Sequence, residues 1–70
     1  MLFQRPNMYS FDVVSTGQAA ANVRSTDRAA DVLRIVGELT DRHPDCERII
    51  VWFNGTRSFA VDGCGLLIRD

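Results

Sequence analysis

The chain has 70 residues, which is enough for one small domain and excludes a second. Hydrophobic residues make up 46% of the chain and charged residues 24%, a balance typical of a protein that folds rather than one that stays disordered. The formal net charge of -1 gives no general attraction to nucleic acid or anionic lipid, although all eight basic residues are arginine.

The start of the chain, residues 1–7, is interpreted as an N-terminal arm. It lacks the basic start and the apolar run of a secretory signal peptide. Nowhere does the sequence approach the roughly 18 consecutive apolar residues of a membrane span. We therefore expect a cytoplasmic protein that does not associate with a membrane.

Two strands are predicted before the helix. Residues 9–14 alternate between apolar and polar side chains, which predicts a half-buried strand. A glycine-containing turn follows at residues 15–17. Residues 18–24 are rich in alanine and have helical propensity, but they are few and follow a turn. A returning strand is therefore favoured over a helix for this segment.

The clearest helical pattern runs over residues 26–42. Ser25 or Thr26 is expected to cap its first turn, and Asp27 suits the positive end of the helix dipole. Pro44 disfavours helical geometry at the preceding residue, which predicts a helix end near Arg42. The predicted core stripe is Ala29, Val32, Leu33, Val36 and Leu39. The predicted solvent stripe is Asp27, Asp31, Arg34, Glu38 and Asp41.

A β-hairpin is predicted after the helix. Residues 48–53 are mostly β-branched and aromatic, Asn54-Gly55 is a strong turn signal, and residues 57–62 are the return strand. Residues 63–70 are expected to be a C-terminal tail or a short edge strand. The order of elements predicts an α+β domain over residues 8–62, with a small antiparallel sheet of about four strands in ββαββ order. One amphipathic helix packs on one face of this sheet.

The first hairpin strand is apolar on both faces, which is more than one helix covers. Either Ile49, Val51 and Phe53 or Ile50 and Trp52 must therefore face away from the helix. The loop length decides between them, because a one-residue change in register exchanges the two faces. A two-residue loop pairs Trp52 with Arg57 and Ile50 with Phe59. A three-residue loop pairs Val51 with Phe59 and Phe53 with Arg57.

The uncovered sheet face is predicted to be a contact surface for a protein partner or for a second copy in a homodimer. Tyr9, Trp52, Phe53 and Arg57 are of the residue types enriched in interface hot spots. The alternative is that the chain's own ends fold over this face, namely residues 2–3 of the arm or residues 66–68 of the tail.

No catalytic residue, cofactor site or metal site is predicted, and the protein is not expected to be an enzyme. His43 is the sole histidine and is expected to pack at the helix end. The three-residue loop would place Cys46 opposite Cys64. Reduced thiols, a disulfide and a zinc site with His43 and Asp62 therefore stay open, with reduced thiols favoured.

The second functional hypothesis is a small nucleic-acid-associated regulatory protein that uses Arg24, Arg28 and Arg57. Arginines near an exposed aromatic ring suit a stacking surface for nucleic acid. These arginines are spread along the chain and interleaved with acidic residues, so nucleic acid is not expected to be a direct ligand.

In size, charge and layout the chain resembles several small phage-encoded proteins, among them the anti-CRISPR inhibitors. The layout consists of strands such as Tyr9–Val14 and Arg48–Asp62 around the helix Thr26–Arg42. The resemblance implies a stoichiometric inhibitor that binds a larger protein or ribonucleoprotein complex and catalyses no reaction. Acidic residues on the outer helix face would then contact basic surfaces of that complex. These residues are Asp27, Asp31, Glu38 and Asp41.

Overall fold

The computed structural model describes residues 8–68, so the predicted N-terminal arm lies outside the described residues. The elements are β1 (Tyr9–Val14), β2 (Ala21–Thr26), a 3-10 turn (Ala29–Asp31), α1 (Val32–Arg42), β3 (Arg48–Phe53), β4 (Thr56–Asp62) and β5 (Leu67–Ile68). The predicted α+β class is confirmed. Five strands, one more than expected, form an antiparallel sheet in the order β2-β1-β3-β4-β5.

The sequence leaves alternatives open for two segments, residues 18–24 and residues 63–70, and both contribute to strands. The segment after the first turn returns as β2 beside β1, as favoured, with its first paired residue at Ala21. Near the end of the described chain, Leu67 and Ile68 pair with β4 as a short edge strand. Leu66 and Leu67 are 67% and 60% exposed, so these two residues do not cover a sheet face. The other proposed cover, residues 2–3, lies outside the described residues.

The helix begins later than predicted. Its first residue is Val32, and Ser25 and Thr26 belong to β2 instead of capping it. Pairing of Thr26 with Tyr9 keeps the backbone extended there, which is why the local capping signal fails. The Thr26 hydroxyl accepts a hydrogen bond from the Arg28 backbone N–H at 3.2 Å, within the loop that leaves the strand. The predicted helix end at Arg42 is confirmed.

The core stripe of α1 is rotated relative to the prediction. The buried helix residues are Val32, Ile35, Val36 and Leu39, so Ile35 was missed. Leu33 is 76% exposed and was wrongly assigned to the core. Because successive helical residues are about 100° apart, Leu33 lies well outside the sector that faces the sheet. Ala29 is also exposed, since it belongs to the 3-10 turn.

The hairpin combines the two registers that were considered as alternatives. Asn54 and Gly55 have φ values of 50° and 84°, as a two-residue hairpin turn requires, and Trp52 pairs with Arg57. A β-bulge at Ser58 then shifts the pairing, so that the rest of β3 and β4 follows the register expected for the longer loop. Neither single register was correct along the whole hairpin.

Pairing with β1 and the bulge in β4 together align the buried face of β3 with the core side chains of both neighbouring strands. Ile49 and Val51 are fully buried beside Phe11 of β1, and all three belong to the core under α1. Ile50 and Trp52 therefore face away from the helix. Both are half-buried, so the second sheet face has apolar side chains that α1 does not cover.

Candidate protein-binding surface

We call the sheet face opposite α1 the open face. The helix packs over β1 and β3, and side chains that alternate away from it lie on the open face. At the centre of this face are Ser10 and Asp12 of β1 and Ile50 and Trp52 of β3. They are paired across the two strands, and all four are half-buried.

Asp12 holds the centre of the open face together. The Trp52 indole N–H donates to one carboxylate oxygen of Asp12 at 3.0 Å, and the Asn22 side-chain amide donates to the other at 3.0 Å. The three residues come from neighbouring strands, so one carboxylate links β2, β1 and β3. The hydrogen bond fixes the orientation of the indole. The Trp52 side chain therefore loses less conformational entropy when a partner binds.

The role of Asp12 was not foreseen from the sequence. An acid in the middle of an alternating strand is the signal that was available, since Asp is depleted in strands. The role of this acid depends on the pairing of β1 with β3, which places Asp12 opposite Ile50 and next to Trp52.

The four aromatic and arginine residues predicted to bind a partner do not form one patch. Trp52 and Arg57 are paired on the open face. Tyr9 and Phe53 are paired on the helix side of the sheet, with their rings 4.7 Å apart and tilted by 45°. Tyr9 packs against the core cluster, so this pair closes one end of the core.

The acidic residues of the helix are largely neutralised within the chain. Glu38 accepts hydrogen bonds from Arg24 of β2 at 2.8 Å and from Arg34 at 2.7 Å. The bond from Arg24, assisted by Arg34, holds the pKa of Glu38 below its ordinary value. Asp31 also lies 3.6 Å from Arg34. These contacts reduce the negative charge that α1 offers to a basic surface.

The other predicted charged contacts are scattered. Asp27 and Asp41 are exposed at opposite ends of the helical segment. Of the arginines in the nucleic-acid hypothesis, Arg24 is on the helix side in its pair with Glu38, whereas Arg57 is on the open face. The structure therefore does not bring these arginines together into one basic patch.

An open depression of about 560 Å³ lies at the end of α1. It is lined by Ser15, Thr16, Gln18, Arg42, His43, Pro44, Asp45 and Cys46. Cys46 is buried, which raises the pKa of its thiol, and Cys64 is exposed. Both cysteines are free. Over residues 8–68, His, Cys, Asp and Glu side chains do not gather in groups of three or more that would suit a metal ion.

Comparison of the chain with families of proteins, with characterised proteins and with solved structures finds no match. In the part of the chain that the structure describes, no helix is both long enough and apolar enough to cross a membrane. The open face, with its oriented indole, is the candidate binding surface among the residues that the structure describes.

Proposed function

We propose that this chain is a non-enzymatic protein-binding module and that its open face binds the partner. The observation behind this proposal is Trp52, which is oriented by Asp12 at the centre of a sheet face that α1 leaves uncovered. Tryptophan is the residue type most enriched among hot spots, and a rigid half-buried ring loses little entropy when a partner covers it.

The open face suits a protein better than a nucleic acid. Both oxygens of Asp12 already accept hydrogen bonds from neutral donors, so the carboxylate needs no donor from a partner, and its negative charge disfavours a phosphate backbone. Ile50 extends the apolar surface beside Trp52. A partner that presents an apolar side chain to these two residues, with polar groups around it, matches the usual anatomy of a protein interface.

Within this class we propose a cytoplasmic stoichiometric inhibitor encoded by a phage or mobile element, in the manner of an anti-CRISPR protein. Its target would be a larger protein or ribonucleoprotein complex. The resemblance in layout supports this role, and a single oriented contact face is sufficient for a protein that acts by covering a surface. Inhibition is then expected to saturate at one equivalent of this chain per binding site.

The test uses a variant that changes the open face without removing any packing. Ser10→Arg places a long charged side chain next to Trp52, to which Ser10 is paired. Ala20→Arg is the matched control, because Ala20 is exposed in the loop before β2. Proteins captured from the host by the tagged wild type are purified and titrated with each variant by calorimetry. Circular dichroism confirms that the variants fold.

We expect the wild type and Ala20→Arg to bind with equal affinity, and Ser10→Arg to bind at least about 30-fold more weakly, as for loss of a hot spot. Trp52→Ala is expected to show a similar loss. Equal binding by all variants would refute the open face as the contact surface. Retention of nucleic acid alone would favour the arginine hypothesis, and inhibition by far less than one equivalent would contradict a stoichiometric mechanism.

A further inference from the structure

The asparagine and glycine at the tip of the β3–β4 hairpin have a chemical property beyond their role as a turn. Asn54 and Gly55 are both exposed, between the last residue of β3 and the first residue of β4. The side-chain amide of an asparagine reacts with the backbone nitrogen of the following residue, which is one reason that asparagine is thermolabile. Glycine favours this reaction most, because it has no side chain to hinder the approach of the two groups.

The backbone nitrogen of Gly55 is accessible to water. Among residues 8–68, the Asn54 N–H donates to the Met8 carbonyl at 2.9 Å, whereas the Gly55 N–H has no hydrogen-bond partner within this range. A Cβ atom added at Gly55 would have no neighbour within 4 Å, so water surrounds this part of the turn. The nitrogen can therefore lose its proton to solvent, which is the step that makes it a nucleophile.

One hydrogen bond restrains the other reactant. The Met8 N–H donates to the Oδ1 atom of Asn54 at 2.8 Å, which holds the amide against the start of β1. This bond is exposed, and a single hydrogen bond contributes little net free energy, so it opens much more often than the whole fold unfolds. Each opening frees the amide to turn towards the Gly55 nitrogen.

We propose that Asn54 is a site of spontaneous deamidation. The Gly55 nitrogen, having given its proton to hydroxide, attacks Cγ of Asn54 and forms an N–Cγ bond. The Cγ–Nδ2 bond then breaks, and Nδ2 takes a proton from water and leaves as ammonia. Water opens the resulting succinimide ring at either carbonyl, which yields aspartate or isoaspartate. The net reaction consumes a water molecule and releases a molecule of ammonia, without an oxidant or a cofactor.

Deamidation changes the hairpin in charge and in length. A carboxylate replaces the neutral amide, and isoaspartate also adds a methylene group to the backbone of the turn. The pairing of Trp52 with Arg57 depends on a turn of two residues, so a longer backbone path disturbs it. Both residues are on the open face, and the reaction therefore limits the lifetime of that end of the surface. This consequence rests on the proposed function, whereas the reaction itself does not.

Asn22 is a matched comparison within the same chain. It is exposed, as Asn54 is, and its side-chain amide is also in a hydrogen bond, to Asp12 at 3.0 Å. The residue that follows is Val23, whose branched side chain hinders the approach of the backbone nitrogen. Asn22 is also within β2, which keeps the backbone extended. We therefore expect the two asparagines to differ greatly in rate.

Peptide mass spectrometry tests the proposal. The folded chain is incubated in a mildly alkaline buffer and digested, and deamidation is measured at each asparagine. We expect Asn54 to react at least about tenfold faster than Asn22. Met8→Pro removes the N–H that restrains the amide and should accelerate the reaction of Asn54 at least about twofold, the low end of what one hydrogen bond contributes. Met8→Ala keeps the N–H and is the control, with an unchanged rate. Circular dichroism confirms the fold of both variants.

Equal rates at Asn54 and Asn22 would overturn the proposal. So would an Asn54 that stays intact in the folded chain while the urea-unfolded chain is converted, because the turn would then protect it. Equal rates in Met8→Pro and Met8→Ala would refute the restraint by the Met8 N–H.

The effect on the open face has a separate readout. The aged chain is titrated against the partner captured above, and weaker binding than by the fresh chain is expected. Unchanged binding would refute the effect of deamidation on the open face. Failure of Ser10→Arg to weaken binding would refute the open face itself, and it would not alter the rate measured at Asn54.

Discussion

Among the glycines, Gly63 lies closest to another segment of the backbone, so a substitution at this position tests the packing of the fold. A Cβ atom at this position would lie 2.5 Å from the backbone oxygen of Cys46, against 3.4 Å for ordinary contact. The chain would have to move by about 0.9 Å to admit it. That movement is difficult, because Cys46 is buried and its N–H is bonded to the His43 carbonyl at 3.0 Å.

We therefore expect Gly63→Ala to destabilise the protein. Overpacking of this kind costs about 1–3 kcal/mol, while the reduced freedom of the unfolded chain returns about 0.4–1 kcal/mol. The midpoints of these two ranges leave a net loss of about 1.3 kcal/mol, which corresponds to a fall in Tm of about 5–10 °C for a domain of this size. Gly37→Ala is the control, since its Cβ meets open space and its helix propensity rises.

Thermal unfolding followed by circular dichroism measures both variants. The protein concentration is kept low so that self-association does not contribute to Tm. Gly37→Ala should melt about 4–8 °C above the wild type, for a gain of about 1 kcal/mol. If Gly63→Ala melts at or above the wild type while Gly37→Ala behaves as expected, the packing of Gly63 against Cys46 is refuted.

Three further predictions concern local features of the fold. Glu38 has its pKa lowered by Arg24, so the interaction stabilises the fold above the unfolded pKa and is lost as pH falls through the folded value. Glu38→Gln should therefore lower Tm at neutral pH, and the difference from the wild type should shrink as the pH falls below the ordinary glutamate pKa of 4.5; a difference in Tm that does not depend on pH would contradict this. Cys64 should react rapidly with a thiol reagent, whereas Cys46, buried and with a raised pKa, should react only as the fold opens; two equally fast thiols would be inconsistent with the structure. Gly55→Ala should cost about 1–2 kcal/mol in denaturant unfolding because φ at this position is 84°, and an unchanged midpoint would argue against this turn geometry.

Much of the fold follows from short-range patterns. Asn54-Gly55 specifies the hairpin turn, because both residues tolerate positive φ. Pro44 ends the helix at Arg42 by restricting the residue before it. These signals act within a few residues and do not depend on the rest of the chain.

The candidate surfaces were harder to predict because they depend on pairing between distant residues. Thr26 does not cap the helix as its local sequence predicts, because the β1–β2 pairing keeps that residue extended. The periodicity of the apolar residues places Leu33 in the predicted core stripe, whereas packing against the sheet buries Ile35 instead. The negative charge of the acidic helix face is reduced, because Arg24 of β2 forms an ion pair with Glu38.

The amino-acid order alone was sufficient for the α+β class, the helix end and the turn at Asn54-Gly55, since each rests on local backbone preferences. Folding in three dimensions decided that Trp52 lies on the open face and that Leu33 is exposed instead of buried. The physical reason is that a bulge at Ser58 sets the strand register, and side-chain direction in a sheet reverses with every residue.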